Sequence, residues 1–227
     1  MTVDLPPEID EPVVSPRGRD TLRLVLVVVT VVAALLAAGA VGWLIRGGPS
    51  STSESSVDAG FARDMSTHHT QAVIMAGYTR DTTTDPAIKN LAFDIESAQY
   101  TEIGEMTGWL DGWRLTRSSS RPLMGWMGGM DMNTSTTTAP ADTPLMPGMA
   151  TPNDVDKLEK LTGKTLDIYF LQLMLRHHEG GVAMAQYAVE HAKHSYVRGL
   201  AQKMVDNQNN EITVMKQMLA TRGAQPL

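Results

Sequence analysis

FARDMSTHHTQAVIMA, residues 61–76, returns further along the chain as FLQLMLRHHEGGVAMA, residues 170–185. The likeness extends over Asp58–Trp113 and Asp167–Arg222 without insertion or deletion, and 16 of the 56 aligned positions are identical. A repeat of this length with helical periodicity indicates two copies of one helical hairpin, related by a pseudo-twofold axis. The histidine pairs of the two copies are therefore expected to meet.

Helical periodicity and capping signals divide each copy into two helices. The predicted helices cover about residues 57–78, 86–111, 166–192 and 195–222. Ser55 or Ser56 is placed to cap the first helix, and Asp85-Pro86 is typical of a second start, because an acceptor at the N-cap precedes proline. Gly223 is placed to end the last helix. Four long helices in two hairpins, over residues 57–222, predict an all-α four-helix bundle.

Residues 114–166 join the copies and are rich in Gly, Pro, Ser and Thr, which predicts a segment that wanders over the surface. Within it, Pro152–Leu161 has a short helical pattern that Gly163 is expected to end. The segment contains six methionines that no core stripe explains: Met124, Met127, Met130, Met132, Met146 and Met149. They suggest an exposed capture arm for soft metal ions. The alternative is a hydrophobic lid on the bundle, anchored by Trp126.

An apolar stretch, Leu24–Ile45, precedes the repeats and carries no charge. As a helix it would span about 33 Å, against a hydrocarbon core of about 30 Å, so it predicts a transmembrane anchor in the lipid bilayer. Arg17, Arg19 and Arg23 lie before it, and only Arg46 follows closely. This charge bias places the N-terminus in the cytoplasm.

The anchor divides the N-terminal part of the chain into three segments. Residues 1–23 are predicted to be a disordered cytoplasmic tail, and residues 46–56 a spacer between bilayer and bundle. A signal peptide cleaved at Ala38-Gly39-Ala40 is the alternative, but the apolar run continues past that site, which favours an uncleaved anchor. We therefore expect a single-pass protein of the cell membrane with its bundle on the extracytoplasmic side.

Composition excludes several classes of function. The net charge is −6, and an acidic domain repels the nucleic-acid backbone, so no nucleic-acid partner is expected. The chain has no cysteine, which excludes disulfides, thiolate nucleophiles and iron–sulfur clusters. The sequence contains no nucleophile motif, oxyanion loop or phosphate-binding glycine motif, so no catalytic residue is predicted.

Polar residues interrupt the apolar helix faces at matching positions in both copies. The histidines are His68, His69, His177 and His178, and the methionines that flank them are Met65, Met75, Met174 and Met184. Glu102 and Glu211 lie in the core stripes of the following helices. An ionised carboxylate in such a position requires a positive or metallic partner.

Two interpretations meet this requirement. In the first, each glutamate accepts a hydrogen bond from a histidine of its own or the other hairpin, and these pairs fix the register of the bundle. In the second, the imidazoles, thioethers and carboxylates form one or two metal sites inside the bundle. A set of histidine and methionine ligands suits copper best. Zinc could bind to His and Glu, whereas iron requires more carboxylate ligands than these two glutamates. His191 and His194 have no counterparts in the first copy and are expected to be exposed.

The two motifs are each followed by a related helical segment, QYTEIGEM or QNNEITVM, and MPGM precedes the second copy. Together they resemble the bacterial domain-of-unknown-function family DUF305 over residues 58–222. The resemblance implies a ferritin-like four-helix bundle, usually secreted or membrane-anchored, with members linked to copper binding or metal tolerance. It carries these motif positions to the chain: Met65, His68, His69, Met75, Met174, His177, His178 and Met184.

The sequence therefore predicts a membrane-anchored, extracytoplasmic protein that binds copper for storage, buffering or delivery. The four histidines are the main expected ligands, the four flanking methionines supply soft donors, and Glu102 and Glu211 orient the imidazoles as acceptors. Two alternatives remain open. One is an accessory interaction module of a membrane-protein complex with structural histidines, and the other is a ferritin-like metal-dependent oxidase.

Overall fold

The computed structural model describes residues 17–45, 52–128 and 142–227. Within these ranges the chain forms six helices and no strand. The helices are α1 (Arg17–Ile45), α2 (Val57–Thr82), α3 (Pro86–Gly112), α4 (Pro152–Leu158), α5 (Gly163–His191) and α6 (Ser195–Thr221). The chain divides into two compact units, residues 1–50 and residues 51–227.

Helix α1 is the described part of the N-terminal unit. Its stretch Arg23–Val41 has a mean hydropathy of 2.9, so it is long and apolar enough to cross a membrane, although a signal sequence has the same properties. The predicted disordered tail is wrong for residues 17–23, which are helical. Once the apolar helix has formed, each added residue gains a backbone hydrogen bond, and this extends it through the charged start. Residues 1–16 lie outside the described part.

Most helix ends of the bundle follow the capping signals. The Ser56 side chain accepts a hydrogen bond at 3.1 Å from a backbone N–H in the first turn of α2, and Asp85 does the same at 2.9 Å for α3. Gly223 follows α6 with a φ of +70°, as expected. The prediction that Gly163 ends the short helix is wrong, because α4 stops at Leu158. Gly163, with a φ of +56°, instead turns the chain into α5.

The two hairpins meet through α2 and α5, which run antiparallel. Helix α2 packs against α3 and α5, and α5 also packs against α6. Asp58, at the start of α2, accepts hydrogen bonds from the backbone N–H groups of Lys193 and His194 after α5, at 3.0 and 2.8 Å. At the other end Asp167, near the start of α5, accepts from the Thr83 hydroxyl after α2, at 2.6 Å. The predicted pairing of two repeated hairpins is confirmed.

Buried apolar side chains form two clusters that share the length of the bundle. One cluster contains residues from the first half of α2, the second half of α5 and the crossover; we call it the lid-side core, because the crossover covers it. The other, which we call the α4-side core, contains residues from the second half of α2, the first half of α5 and Leu158 of α4. The buried methionines of the lid-side core are Met65, Met106, Met124, Met127, Met146, Met149, Met184 and Met204. Those of the α4-side core are Met75, Met174 and Met215. The repeat is therefore symmetric in its helices but not in the packing at its two ends.

The long crossover covers the lid-side core. Met124, Met127, Met146 and Met149 are at most 3 % exposed. The capture-arm interpretation is therefore wrong for these four, because burying a thioether side chain removes apolar surface from water and fills the core. The alternative, a hydrophobic lid, is confirmed. We call residues 122–127 and 146–150 the lid; Met130 and Met132 lie outside the described residues.

Trp126 anchors the first part of the lid, as the alternative predicted. Its ring meets Phe61 and Tyr187 edge-on, with centroids 6.0 and 5.6 Å away. The buried carboxylate of Asp64 accepts hydrogen bonds from the Met124 N–H at 2.7 Å and from the Trp126 Nε1–H at 2.8 Å. The lid is thus held by both apolar packing and charge-assisted hydrogen bonds.

The second part of the lid lies between α2 and α5. The Gln71 side chain on α2 bonds the backbone of Ala150 twice, accepting from its N–H at 2.7 Å and donating to its carbonyl at 2.9 Å. On α5 the lid touches the helix backbone, because a Cβ at Gly180 would lie 2.1 Å from the carbonyl oxygen of Pro147. Gln71 and Gly180 occupy the same position in the two copies. The lid is therefore held by the hydrogen bonds of the Gln71 side chain on α2, and it packs closely on α5 because Gly180 has no side chain.

Gly60→Ala should destabilise the bundle by displacing the lid anchor. A Cβ at Gly60 would lie 2.3 Å from Cγ of Trp126, so the indole must move, and overpacking of this kind costs about 1–3 kcal/mol. The matched control is Gly104→Ala in α3, where a Cβ meets nothing within 4 Å and should raise stability by up to ~1 kcal/mol. Urea denaturation of residues 52–227 measures both. Equal stability of the two variants would contradict the lid contact.

Candidate metal centre

The four motif histidines meet between the two cores. Each is at most 1 % exposed. The rings of His68 on α2 and His177 on α5 lie 3.8 Å apart, centroid to centroid, with 38° between their planes. His69 lies 6.4 Å from His68, and His178 lies 6.3 Å from His177. The prediction that the two pairs meet in a dry interior is confirmed.

Each core glutamate binds one histidine of its own hairpin. Nε2 of His69 lies 2.8 Å from Oε2 of Glu102, and Nε2 of His178 lies 2.7 Å from Oε2 of Glu211. These contacts cross from α2 to α3 and from α5 to α6, so the choice between own and other hairpin is settled in favour of the own hairpin. Both glutamates retain some exposure at the bundle surface, at 12 % and 24 %.

The two inner histidines use backbone acceptors instead. Nε2 of His68 lies 3.2 Å from the carbonyl oxygen of Pro147 in the lid, and Nε2 of His177 lies 3.0 Å from the carbonyl oxygen of His68. Pro147 was missed in the sequence, because a backbone carbonyl carries no side-chain signal. The lid therefore contacts the centre directly.

These contacts determine which ring nitrogens are free to bind a ligand. Carbonyl and carboxylate oxygens only accept hydrogen bonds, so each Nε2 carries a hydrogen, and in a neutral ring the Nδ1 carries the lone pair. The Nδ1 atoms of His68, His69 and His178 are buried and have no hydrogen-bond partner. An unpaired buried polar atom costs about 1–3 kcal/mol, which a bound cation would offset. The donor chemistry fits a copper or zinc ion.

Burial keeps the inner rings neutral. It lowers the pKa of His68 to about 3, with the neighbouring His69 adding to the shift and the Pro147 carbonyl opposing it. Burial also lowers the pKa of His177 well below its ordinary value, and charge on His68 and His178 would lower it further. At ordinary pH a metal ion would therefore not compete with a proton for these two rings.

The flanking methionines lie on both sides of the histidines. Met65 and Met184 belong to the lid-side core, and Met75 and Met174 to the α4-side core. Over the described ranges, no three His, Asp or Glu side chains are grouped closely enough to hold an ion by themselves. An ion in this centre would thus need thioether or other donors beside imidazole.

Outside the centre, the predicted exposure of the remaining histidines holds for only one. His191 is 49 % exposed. His194 is partly buried, because its Nε2 lies 3.0 Å from the Thr52 hydroxyl and its ring stacks on Trp113 at 5.4 Å. The two rings serve different neighbours, so no surface site is assigned to them.

Comparison with known proteins identifies similar structures. The model of the DUF305 family, a domain of unknown function, matches residues 58–219. A DUF305 protein from Streptomyces coelicolor that is proposed to be secreted is 44 % identical to this chain and superposes with a TM-score of 0.69. The aligned region covers 77 % of this chain and 99 % of the Streptomyces protein. A DUF305 fragment from Deinococcus radiodurans is 26 % identical, with 73 % and 96 % coverage and a TM-score of 0.59.

A third similar protein has been solved with metal. CopM in its Cu(I)-bound form is 25 % identical, covers 72 % of this chain and 96 % of its own, and has a TM-score of 0.52. CopM has also been solved with Ag, with Cu(II) and in the apo form. No curated protein matches the chain.

Acid should destabilise the metal-free bundle through its inner histidines. In the unfolded chain these rings titrate near 6.5, whereas in the folded bundle the pKa of His68 is about 3. As the pH falls through this window, the unfolded chain binds protons that the folded bundle does not, so the unfolding free energy falls. Each such histidine can lower the unfolding free energy by at most about 1.4 kcal/mol for each unit by which the pH falls. Urea denaturation of residues 52–227 at successive pH values measures this slope.

The contribution of one ring can be separated with a matched pair of variants. His68→Gln should reduce the acid slope by about one bound proton. His191→Gln, at an exposed ring, should leave the slope unchanged. A wild-type slope in His68→Gln would show that another group carries the acid sensitivity.

Proposed function

The chain belongs to the DUF305 family, and on that premise we propose that it is a membrane-anchored, extracytoplasmic protein that binds copper for storage, buffering or delivery. The ion is its cargo, held between the two hairpins by imidazole nitrogens and thioether sulfurs. His68, His69, His177 and His178 are the proposed main ligands. Met65, Met75, Met174 and Met184 are the proposed soft donors. Glu102 and Glu211 orient the imidazoles of His69 and His178, which we call the outer histidines.

One observation carries the proposal: the Nδ1 atoms of His68, His69 and His178 are buried in the same interior and make no hydrogen bond. A purely structural histidine needs both ring nitrogens satisfied once it is buried. Here one nitrogen of each ring is committed to an oxygen acceptor, and the Nδ1 atoms of His68, His69 and His178 have no partner. This is the arrangement by which acceptor groups prepare histidines for metals.

Copper is the metal that this donor set suits best. Thioethers prefer cuprous ion, and imidazole accepts both oxidation states. The CopM structures support the choice, because a protein of similar fold has been solved with Cu(I), Cu(II) and Ag. Zinc is the less favoured alternative, since both core carboxylates already hold histidines.

The proposed location of the protein follows from helix α1. An apolar helix of this length near the N-terminus either anchors the chain in a membrane or directs its export. The arginines before the helix favour an orientation with the bundle outside. The apolar run continues past Ala38-Gly39-Ala40, which favours an uncleaved anchor. The inferred secretion of the Streptomyces coelicolor protein is consistent with this direction.

The interaction-module alternative explains only some of the contacts that the histidines make. It accounts for the bonded Nε2 atoms, which would then only set the register of the helices. It leaves the unpaired Nδ1 atoms of His68, His69 and His178 without a purpose. The oxidase alternative is weaker still, because iron chemistry of the ferritin-like kind requires several free carboxylate ligands.

Replacing the inner histidines should abolish tight loading. The variant His68→Ala with His177→Ala removes two proposed ligands, so we expect the affinity for Cu(I), measured in competition with a chromophoric chelator, to fall by more than about 100-fold. His191→Ala, an exposed histidine at the end of α5, is the control and should bind as the wild type does. Undiminished loading of the double variant, with its helical content intact, would refute the interior site.

Neutralising the orienting glutamates should weaken binding without abolishing it. Glu102→Gln with Glu211→Gln keeps the side-chain shape but removes the charge that fixes both outer imidazoles, and we expect a loss of about 10- to 100-fold in Cu(I) affinity. Glu105→Gln, exposed on the same helix as Glu102, is the matched control. The same competition assay measures both, and parallel behaviour of the two variants would count against an orienting role.

A further inference from the structure

Two buried glutamines, on the helices that follow the histidine-bearing helices, have no hydrogen-bond donor for their amide oxygens. Gln99 on α3 and Gln208 on α6 are 3 % and 4 % exposed, and Oε1 of each is buried without a hydrogen-bond donor. They occupy the same position in the two copies. Each lies one helical turn before the glutamate that holds an outer histidine, so both face the interior.

A buried amide oxygen without a hydrogen-bond donor lowers the stability of the fold, and each of the two hairpins contains one. Buried polar atoms are nearly always paired, because nothing replaces the water that they lose. A leucine or methionine would fill either position without that cost. The repetition in both hairpins indicates that the oxygens have a partner which joins them from outside the chain.

The position of Gln208 shows where such a partner would bind. A Cβ at Gly181 would lie 2.6 Å from Oε1 of Gln208 and 3.3 Å from Cε1 of His68. Cε1 is bonded to Nδ1, the ring atom of His68 that lacks a partner. The amide oxygen and the imidazole edge therefore both lie close to the place where a side chain of residue 181 would begin, and both come this close because residue 181 is glycine. In the first copy Ala72 stands at the matching position.

We propose that the amide oxygens of Gln99 and Gln208 are further metal donors of this centre and that they extend its range from soft monovalent ions to Cu(II). The inference rests on the proposed function and deepens it. Thioethers select Cu(I), whereas mixed nitrogen and oxygen donors suit Cu(II). With both kinds present, the centre holds copper in either oxidation state, with imidazole as the common ligand.

The first test compares two metals on one pair of residues. The full chain, purified in detergent and freed of metal, is titrated with Ag(I), a redox-inert stand-in for Cu(I), and separately with Cu(II). In Gln99→Leu with Gln208→Leu, Cu(II) affinity should fall by about tenfold or more, while Ag(I) affinity changes by less than about threefold. Gln217→Leu, exposed on α6, is the control and should change neither.

A second readout separates a ligand role from a structural one. If the oxygens await a metal, the leucine variant should be more stable than wild type without metal, and its melting temperature should rise by a few degrees. A structural role, including a bound water that bridges amide and imidazole, predicts a lower melting temperature instead. A lower melting temperature or an equal loss of affinity for both metals would overturn the inference.

Gly181→Ala supplies a variant that moves the amide without removing it. The added Cβ would lie 2.6 Å from Oε1 of Gln208, so the Gln208 side chain must turn away. We expect Cu(II) affinity to fall selectively here too, and unchanged Cu(II) binding in this variant would count against the inference. If the wild-type chain binds neither Ag(I) nor Cu(II), the proposed function fails as well. Binding of both metals that is unaffected by the leucine substitutions would overturn only the role of the glutamines.

Discussion

Four imidazoles in a dry interior each need an acceptor for one ring nitrogen, and the rest of the bundle is arranged around that need. Glu102 and Glu211 supply it within their hairpins and so tie α2 to α3 and α5 to α6. The ring of His177 reaches the backbone of His68 and joins the hairpins to each other. Loss of one acceptor would leave a buried N–H unpaired, at a cost of about 1–3 kcal/mol. The bonds that hold the helices together also leave the Nδ1 atoms of His68, His69 and His178 without a partner.

Features that depend on local pattern could be predicted from the sequence. Asp85 brings its own acceptor to the start of α3, and the helical period places His69 opposite Glu102 once a hairpin is assumed. The repeat also marks Gln99 and Gln208 as buried by their stripe. That their oxygens lack a donor could not be predicted, because it depends on what every neighbouring helix presents to them.

The lid depends on contacts between distant positions, and no local period announces them. Met124 is buried because its N–H meets Asp64, 60 residues earlier, and because Trp126 fits over Gly60. A segment rich in Gly, Pro, Ser and Thr reads as exposed when those partners are unknown. Gly163 was misassigned for a related reason: a glycine with positive φ can begin a helix as well as end one, and the direction depends on the chain around it.

The lid is seated by two residues at one position of the repeat: Gln71 grips it with a long amide, and Gly180 makes room for it by having no side chain. A homodimer of a single hairpin would have to present the same residue twice, and could offer either the grip or the gap. Fusing the two copies into one chain removed that restriction. Two copies that differ at this position therefore allow a nearly symmetric pair of hairpins to carry a cover with one fixed orientation.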